Sequence, residues 1–312
     1  MGYVWIFYLK NSEICDIMSL CSFAATKGDN SLKYYILYNP LAGHGGWEKA
    51  LSDVKEMLND AECLNVIDLS DYKELYEKLT PEDTVVLLGG DGTINKFVNA
   101  TEGYELPFDV LYYPTGTGNN FVRDLKDVDT SRPFSIKKYI TDLPKVTVNG
   151  QTYRFLNGVG FGIDGYCCEV GDKIKAESDK PVNYTAIAIK GLLFHFSAPN
   201  ATVTVDGKSY EYKKVWIAPT MNGRYYGGGM MPTPDQDRLA DEKKVSLMLF
   251  HGSGKLKTLM IFPSLFKGEH VKHTECIAIH KGKDITVTFD KPTSLQIDGE
   301  TLLNVTEYKV TV

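Results

Sequence analysis

Apolar and polar positions follow two different rhythms along this chain. In the first half, short apolar runs alternate with helix-spaced segments. "YYILYN" at Tyr34–Asn39 reads as a strand, and Trp47, Leu51, Val54 and Leu58 then recur at helical spacing. "CLNVIDL" predicts a second strand and "DYKELYEKL" a second helix. "DTVVLLGG" is apolar almost throughout, as a parallel strand covered on both faces should be, and "TINKFVNAT" follows it as a helix. "FDVLYYP" and "NNFVRDL" repeat the unit once more. Repeated strand–helix units predict an α/β fold, an open parallel sheet wrapped by helices.

Near Leu143 the rhythm changes to strands with tight turns. Asn149-Gly150, Asp206-Gly207 and Asp298-Gly299 each sit between alternating runs, the two-residue hairpin signal. These predict a mainly antiparallel β-sandwich, interrupted by one helical run, "VNYTAIAIKGLLFHF". The expected organisation is an N-terminal extension over 1–32, an α/β domain over 33–142 and a β-rich domain over 143–312.

Three glycine-bearing loops fall at the carboxyl ends of the parallel strands, where open α/β sheets bind ligands. They are "NPLAGHGG" (Asn39–Gly46), "GGDGT" (Gly89–Thr93) and "PTGTGNN" (Pro114–Asn120). Each leads into a helix. Successive N–H groups at a helix start bind anions, so converging loops of this kind fit a polyphosphate, whereas any one alone fits an ordinary turn. No P-loop pattern occurs, and no dinucleotide fingerprint follows the first strand. A carboxylate among phosphates, here Asp91, needs a bridging cation or a proton to accept; both point to phosphoryl transfer.

A net charge of -6 argues against a general nucleic-acid binder. Six cysteines, Cys15, Cys21, Cys63, Cys167, Cys168 and Cys276, form no C-x-x-C pair and read as thiols of a reducing cytoplasm. No run is long and apolar enough to span a bilayer. Lys10, Glu13 and Asp16 break the apolar start of the chain, so it does not read as a signal peptide.

At "YNPLAGHGG", "LLGGDGTINKFVNA", "YPTGTGNNFVRDL", "NGVGFGIDG" and "LQIDGE" the sequence resembles the diacylglycerol kinase catalytic family, bacterial lipid kinases related to sphingosine and ceramide kinases. The pieces occur in the family's order, from about Lys33 to the C-terminus. The resemblance implies an ATP-binding domain, then a β-rich lipid domain, with the active site between them. It implies nucleotide contacts at Asn39, Pro40, Gly43, Gly45, Ser70, Gly89, Gly90, Asp91, Gly92, Thr93, Asn95, Gly116, Thr117 and Asn119. It also implies catalysis at the Asp298-Gly299-Glu300 turn, with Glu300 as base and Asp298 positioning it; Asp91 is the rival base. Asn120 departs from the Asp common in the family. A family Mg²⁺ site maps onto "PTPDQDRLADEKKVSL", with Asp241 as ligand and Arg238 and Lys243 offering carbonyls; a solvated acidic loop is the alternative.

Three further signals stay open. His270, His273 and His280 invite a zinc reading, or are surface histidines. "GSGKLKTLMIFPSLFKGEHVKH" is basic and apolar, suited to an anionic membrane surface or to a helix packed on the β-domain. "NGRYYGGGMMP" would flank acyl chains or form a mobile loop. The expected activity is transfer of the γ-phosphoryl group of ATP, with Mg²⁺, to a lipid hydroxyl. Diacylglycerol is the first choice, and a sphingoid base or other lipid alcohol the rival. A non-catalytic lipid- or nucleotide-binding relative is the reading from another class. The expected setting is cytoplasmic, at the inner membrane face, with a homodimer as one possible state.

Overall fold

A computed structural model describes residues 33–40, 46–67, 72–116, 118–177 and 182–312. The N-terminal extension lies outside these residues, as do Gly43, Gly45, Ser70 and Thr117 of the expected nucleotide site and the thiols Cys15 and Cys21.

The first sheet has five strands, ordered β2 (Ala61–Asn65), β1 (Tyr34–Tyr38), β3 (Thr84–Gly89), β4 (Asp109–Pro114) and β5 (Phe134–Ser135). The first four are mutually parallel and β5 is an antiparallel edge. Alternation explains why β3 is apolar throughout. Val85 and Leu87 pack on one face with Ile94, Phe97 and Val98 of helix α3 (Asp91–Ala100), while Val86 and Leu88 face Ala50 and Val54 of α1 (Trp47–Met57). The second helix, α2 (Tyr72–Tyr76), is shorter than its sequence pattern suggests, and β2 ends before Val66 and Ile67.

Every strand from Lys145 onward joins one ten-stranded antiparallel sheet. Its longest members are β14 (Asp284–Ile297) and β15 (Glu300–Thr311), whose register shifts between Thr288 and Leu295. Before this irregularity β14 pairs with β9 (Ala201–Val205), and after it with β8 (Gly158–Gly162). A bulge bends a strand and raises its twist, so the sheet turns over on itself as a sandwich. Leu247 and Leu249 of β12 (Val245–Phe250) face the sandwich interior. Met248 and Phe250 face a helical cover.

All three Asn/Asp-Gly signals form hairpins. Val148 pairs with Gln151, Val205 with Lys208, and Ile297 with Glu300. Both turn residues have positive φ in each case, the mirror-image turn that matches strand twist.

One helix was not anticipated by the sequence pattern. α6 (Ile163–Glu177) begins directly after β8. Its glycines and adjacent cysteines are weak helix formers, and docking explains why they are there. A Cβ at Gly165 would meet the Ser294 carbonyl oxygen at 1.9 Å, so the first turn of α6 lies directly on β14. The expected helical run further on divides into α7 (Tyr184–Lys190) and a π-helical turn, Gly191–His195.

Candidate active site

β1, β3 and β4 are neighbours, so the loops after them share one edge of the sheet. Asn39 and Pro40 follow β1 there. The loops after β3 and β4 touch backbone to backbone. Thr115 N–H donates to the Gly89 carbonyl at 2.8 Å, and a Cβ at Gly116 would meet Gly90 Cα at 2.8 Å. A side chain at Gly89 would strike Thr93 Oγ1 at 2.0 Å. The glycines are needed because two loops and a helix start occupy the same small volume. The Oδ1 atoms of Asn119 and Asn120 are buried with no hydrogen-bond partner among the described residues. In a cradle closed to side chains, backbone N–H groups at a helix start suit phosphate oxygens and the orphaned acceptors suit hydroxyl or amino donors, both of which a nucleotide offers.

Asp91 opens α3, and its carboxylate accepts from the Asn120 N–H at 2.8 Å and the Phe121 N–H at 3.3 Å. It thus joins the loop after β3 to the first turn of α4 (Asn120–Asp124). Burial pushes its pKa up, and the Asn120 and Phe121 amides draw it back. All three of its hydrogen-bond partners among the described residues are donors, the third being Asn157 Nδ2 at 3.3 Å. A proton on Asp91 would have no acceptor, so it is bound as the anion.

Asp298 occupies the hairpin turn with φ 49 and sends its carboxylate inward. It accepts from the backbone amides of Leu156, Asn157 (2.8 Å) and Gly158 (3.0 Å), and from Asn95 Nδ2 at 2.8 Å. Asn95, expected at the nucleotide, is therefore buried and engaged between the sheets. It sits one turn ahead of Asn99, which exchanges hydrogen bonds with the backbone of Arg154. Asn157 is a hub that motif reading did not assign. It reaches Asp91 and Asp298, and its Oδ1 accepts from Arg238 at 3.2 Å.

The same network engages the side chains of the acidic turn. The Arg238 guanidinium turns inward, pairs with the buried Asp124 at 2.7 Å and lies 4.9 Å from the Phe121 ring centroid. Arg224 binds the other Asp124 oxygen at 2.6 Å. Asp241 is exposed, Lys243 pairs with Asp142, and no three acidic, histidine or cysteine side chains gather to hold a metal among the described residues. Asp241→Ala is expected to leave turnover and its Mg²⁺ dependence within about twofold of wild type, as surface changes away from partners usually do; a titration of rate against Mg²⁺ checks this.

The histidines diverge as well. His270 Nε2 meets the Pro232 carbonyl at 2.9 Å, and His280 Nε2 lies 2.6 Å from the Tyr212 hydroxyl. Burial pushes the Cys167 and Cys168 thiols up to about 12, which makes them poor nucleophiles. The glycine-rich loop packs Tyr226 and Met230 into the core. A cleft of about 480 Å³, lined by Thr101, Tyr104, Asp142 and Arg154, lies beyond the C-terminal end of α3, away from the glycine loops.

Glu300 begins β15 at the rim of the Asp298 turn. Its side chain is exposed and makes no hydrogen bond or ion pair among the described residues. The turn is held from behind: Gly299 N–H donates to Gln296 Oε1 at 2.9 Å. The amide nitrogen of Gln296, the Tyr226 hydroxyl and both carboxyl oxygens of Asp164 approach one another, fully buried, without closing a hydrogen bond of good geometry. Burial raises Asp164 from 3.8 to about 7. A carboxyl raised on folding adds stability below its unfolded pKa, and that contribution is lost as pH rises through the folded value. Asp164→Asn should therefore gain stability over wild type between about pH 4 and 7. Melting temperatures at pH 5 and pH 8 check this: the variant's advantage should widen by several degrees at pH 8.

These features coincide with matches to known proteins. Residues 33–151 match the diacylglycerol kinase catalytic domain, and residues 157–310 match the YegS C-terminal NAD kinase beta sandwich-like domain. The chain belongs to the diacylglycerol kinase catalytic-domain family. As a member it is an ATP-dependent lipid kinase. A diacylglycerol kinase of Mycobacterium tuberculosis (strain H37Rv) is 24% identical over 257 residues, 78% of this chain and 81% of that protein. YtlR of Bacillus subtilis (strain 168) is 22% identical over 296 residues, 86% of this chain and 93% of its own. The crystal structure of a diacylglycerol kinase from Bacillus anthracis (strain Sterne) shares the fold, with TM-score 0.57 and 19% identity over 90% of this chain and 93% of that one. No helix of this lipid kinase is long and apolar enough to cross a membrane among the described residues.

Proposed function

We propose that this lipid kinase phosphorylates diacylglycerol, giving phosphatidic acid and ADP. The observation that carries the reading is Glu300: an exposed carboxylate, without a partner among the described residues, on a turn whose neighbouring carboxylate is fixed to the hub beside the glycine loops. In this reading the first sheet and its loops hold ATP, and the second sheet presents the lipid. Glu300 takes the proton of the lipid hydroxyl. The oxygen attacks the γ-phosphorus, the bond to the bridging oxygen breaks, and ADP leaves with the electron pair. Backbone N–H groups around Gly90, Gly92 and Gly116 orient the phosphates. Asp91 stays outside the proton transfer because its lone pairs are engaged by amides. Mg²⁺ arriving with ATP supplies charge neutralisation.

Diacylglycerol is preferred because a Mycobacterium tuberculosis relative carries that activity in its name. The test is labelled ATP with a panel of diacylglycerol, sphingoid bases and other lipid alcohols, each product identified by mass. Labelled phosphatidic acid is the expected product. A phosphorylated sphingoid base alone would reassign the acceptor, and ATP binding with no product from any lipid would leave a binding protein.

A further inference from the structure

The three most exposed large hydrophobic side chains among the described residues are Met260 (75%), Phe194 (73%) and Leu256 (72%); the next, Leu303, is at 54%. All three sit on two adjoining elements. Phe194 is on the π-helical turn Gly191–His195, and Leu256 and Met260 are one turn apart on α8 (Lys255–Ile261). Lys255 Nζ donates to the Leu193 carbonyl at 2.8 Å and ties the two together. Thr258 and Ile261 turn the other face of α8 into the core. The exposed side chains thus form one apolar tip at the edge of the helical cover.

The charge along the two segments that carry this tip is one-sided. From Asn183 to Asn200 and from Gly252 to Gly268 the chain has no Asp or Glu, but it carries Lys190, Lys255, Lys257 and Lys267. Lys190 and Lys267 make no ion pair among the described residues, while Lys257 pairs with Glu275. This occurs in a chain of net charge -6. An isolated exposed Leu is ordinary, whereas an apolar tip on segments that carry lysines and no acids marks an interaction surface. Pairing two such tips in a symmetric dimer would set lysines against lysines. Anionic headgroups around an acyl interior offer the complementary arrangement.

We propose that Phe194, Leu256 and Met260, with Lys190, Lys255 and Lys267, are the surface by which this chain sits on an anionic lipid bilayer. The choice of a bilayer as partner rests on the lipid-kinase reading. The tip and the catalytic turn share an anchor. A Cβ at Gly191 would meet Tyr166 and Ile163 of α6 at 2.6 Å and 2.8 Å, and the same helix lies on Ser294 of the strand that leads to Asp298. Docking the tip therefore sets the catalytic turn relative to the membrane.

The test uses the full chain with vesicles of phosphatidylcholine, with and without phosphatidylglycerol. Wild type should sediment with the anionic vesicles and less so at high salt. The triple variant F194S/L256S/M260S should bind them roughly 100-fold more weakly, from the lost apolar insertion. The pair K190Q/K267Q should lose the preference for phosphatidylglycerol. Near-UV circular dichroism confirms that the variants stay folded, since every altered side chain is exposed. Turnover of a short-chain diacylglycerol dispersed as monomers should be equal in wild type and triple variant, while turnover in vesicles falls. If wild type ignores vesicles, or the triple variant binds like wild type, the proposal is overturned. A dimer that the triple variant dissociates, without any vesicle binding, would give the tip to a second copy. If no lipid is phosphorylated in any form, the kinase substrate reading fails, but the vesicle result still decides the surface.

Discussion

Glu300→Gln should turn over diacylglycerol about 10²–10⁴-fold more slowly than wild type, the range that a positioned general base supplies. Glutamine keeps the size and hydrogen-bonding outline but does not take the hydroxyl proton at neutral pH. The exposed side chain has no partner to lose among the described residues, so the melting temperature should hold. ATP affinity should also hold within a fewfold, because the glycine cradle belongs to the other sheet. Asp91→Asn provides the contrast. It puts an amide N–H against the Asn120 and Phe121 N–H groups and loosens two loops together, so ATP affinity and turnover should fall in parallel. Single-turnover rates and ATP titrations for both variants separate the roles. A Glu300→Gln enzyme within a fewfold of wild type would remove Glu300 as base.

Asp298→Asn should be the most destabilising isosteric change at the site. The carboxylate accepts from three consecutive backbone amides and from Asn95. Burial raises its pKa, yet four donors with no acceptor among them bind it as the anion. An asparagine would accept at one oxygen and turn its own N–H groups toward the rest. Stranding buried donors costs about 1–3 kcal/mol each, so a total loss on the order of 3–5 kcal/mol is expected. For a chain of this size that is a drop of roughly 10 °C in melting temperature. Turnover should fall too, since the same carboxylate fixes the turn that carries Glu300. Thermal unfolding with and without ATP measures it. An unchanged melting temperature would show that the turn holds itself.

The first sheet was legible because its central strands β1 and β3 are apolar almost throughout and its loops carry glycine at the strand ends. The hairpins were legible because only Asn/Asp-Gly pairs adopt those turns cheaply. Helix α6 was hidden because "GIDGYCCEVGDKIK" lacks a clean apolar stripe, and its helical state comes from close packing on β14. At the acidic turn, sequence shows that carboxylates are near one another but not which way they point. Arg238 was assigned for its carbonyl, while its guanidinium, buried against Asp124, is what the fold uses. Asn157 was quoted within a motif but given no role, since its partners lie 66 and 141 positions away.

Those long-range partners limit how this protein can be recombined. Asn157 joins the loop after β3, the Asp298 turn and Arg238 at once, and Asp124 clasps two arginines from the other sheet. A chimera that grafts the second sheet of a relative onto this first sheet would inherit half of each clasp. It would fold well only if the partners at 91, 95, 124, 157, 238 and 298 travelled as a set. The two sheets are therefore not interchangeable modules, and a new lipid preference is more readily acquired by changing side chains within the second sheet than by exchanging it.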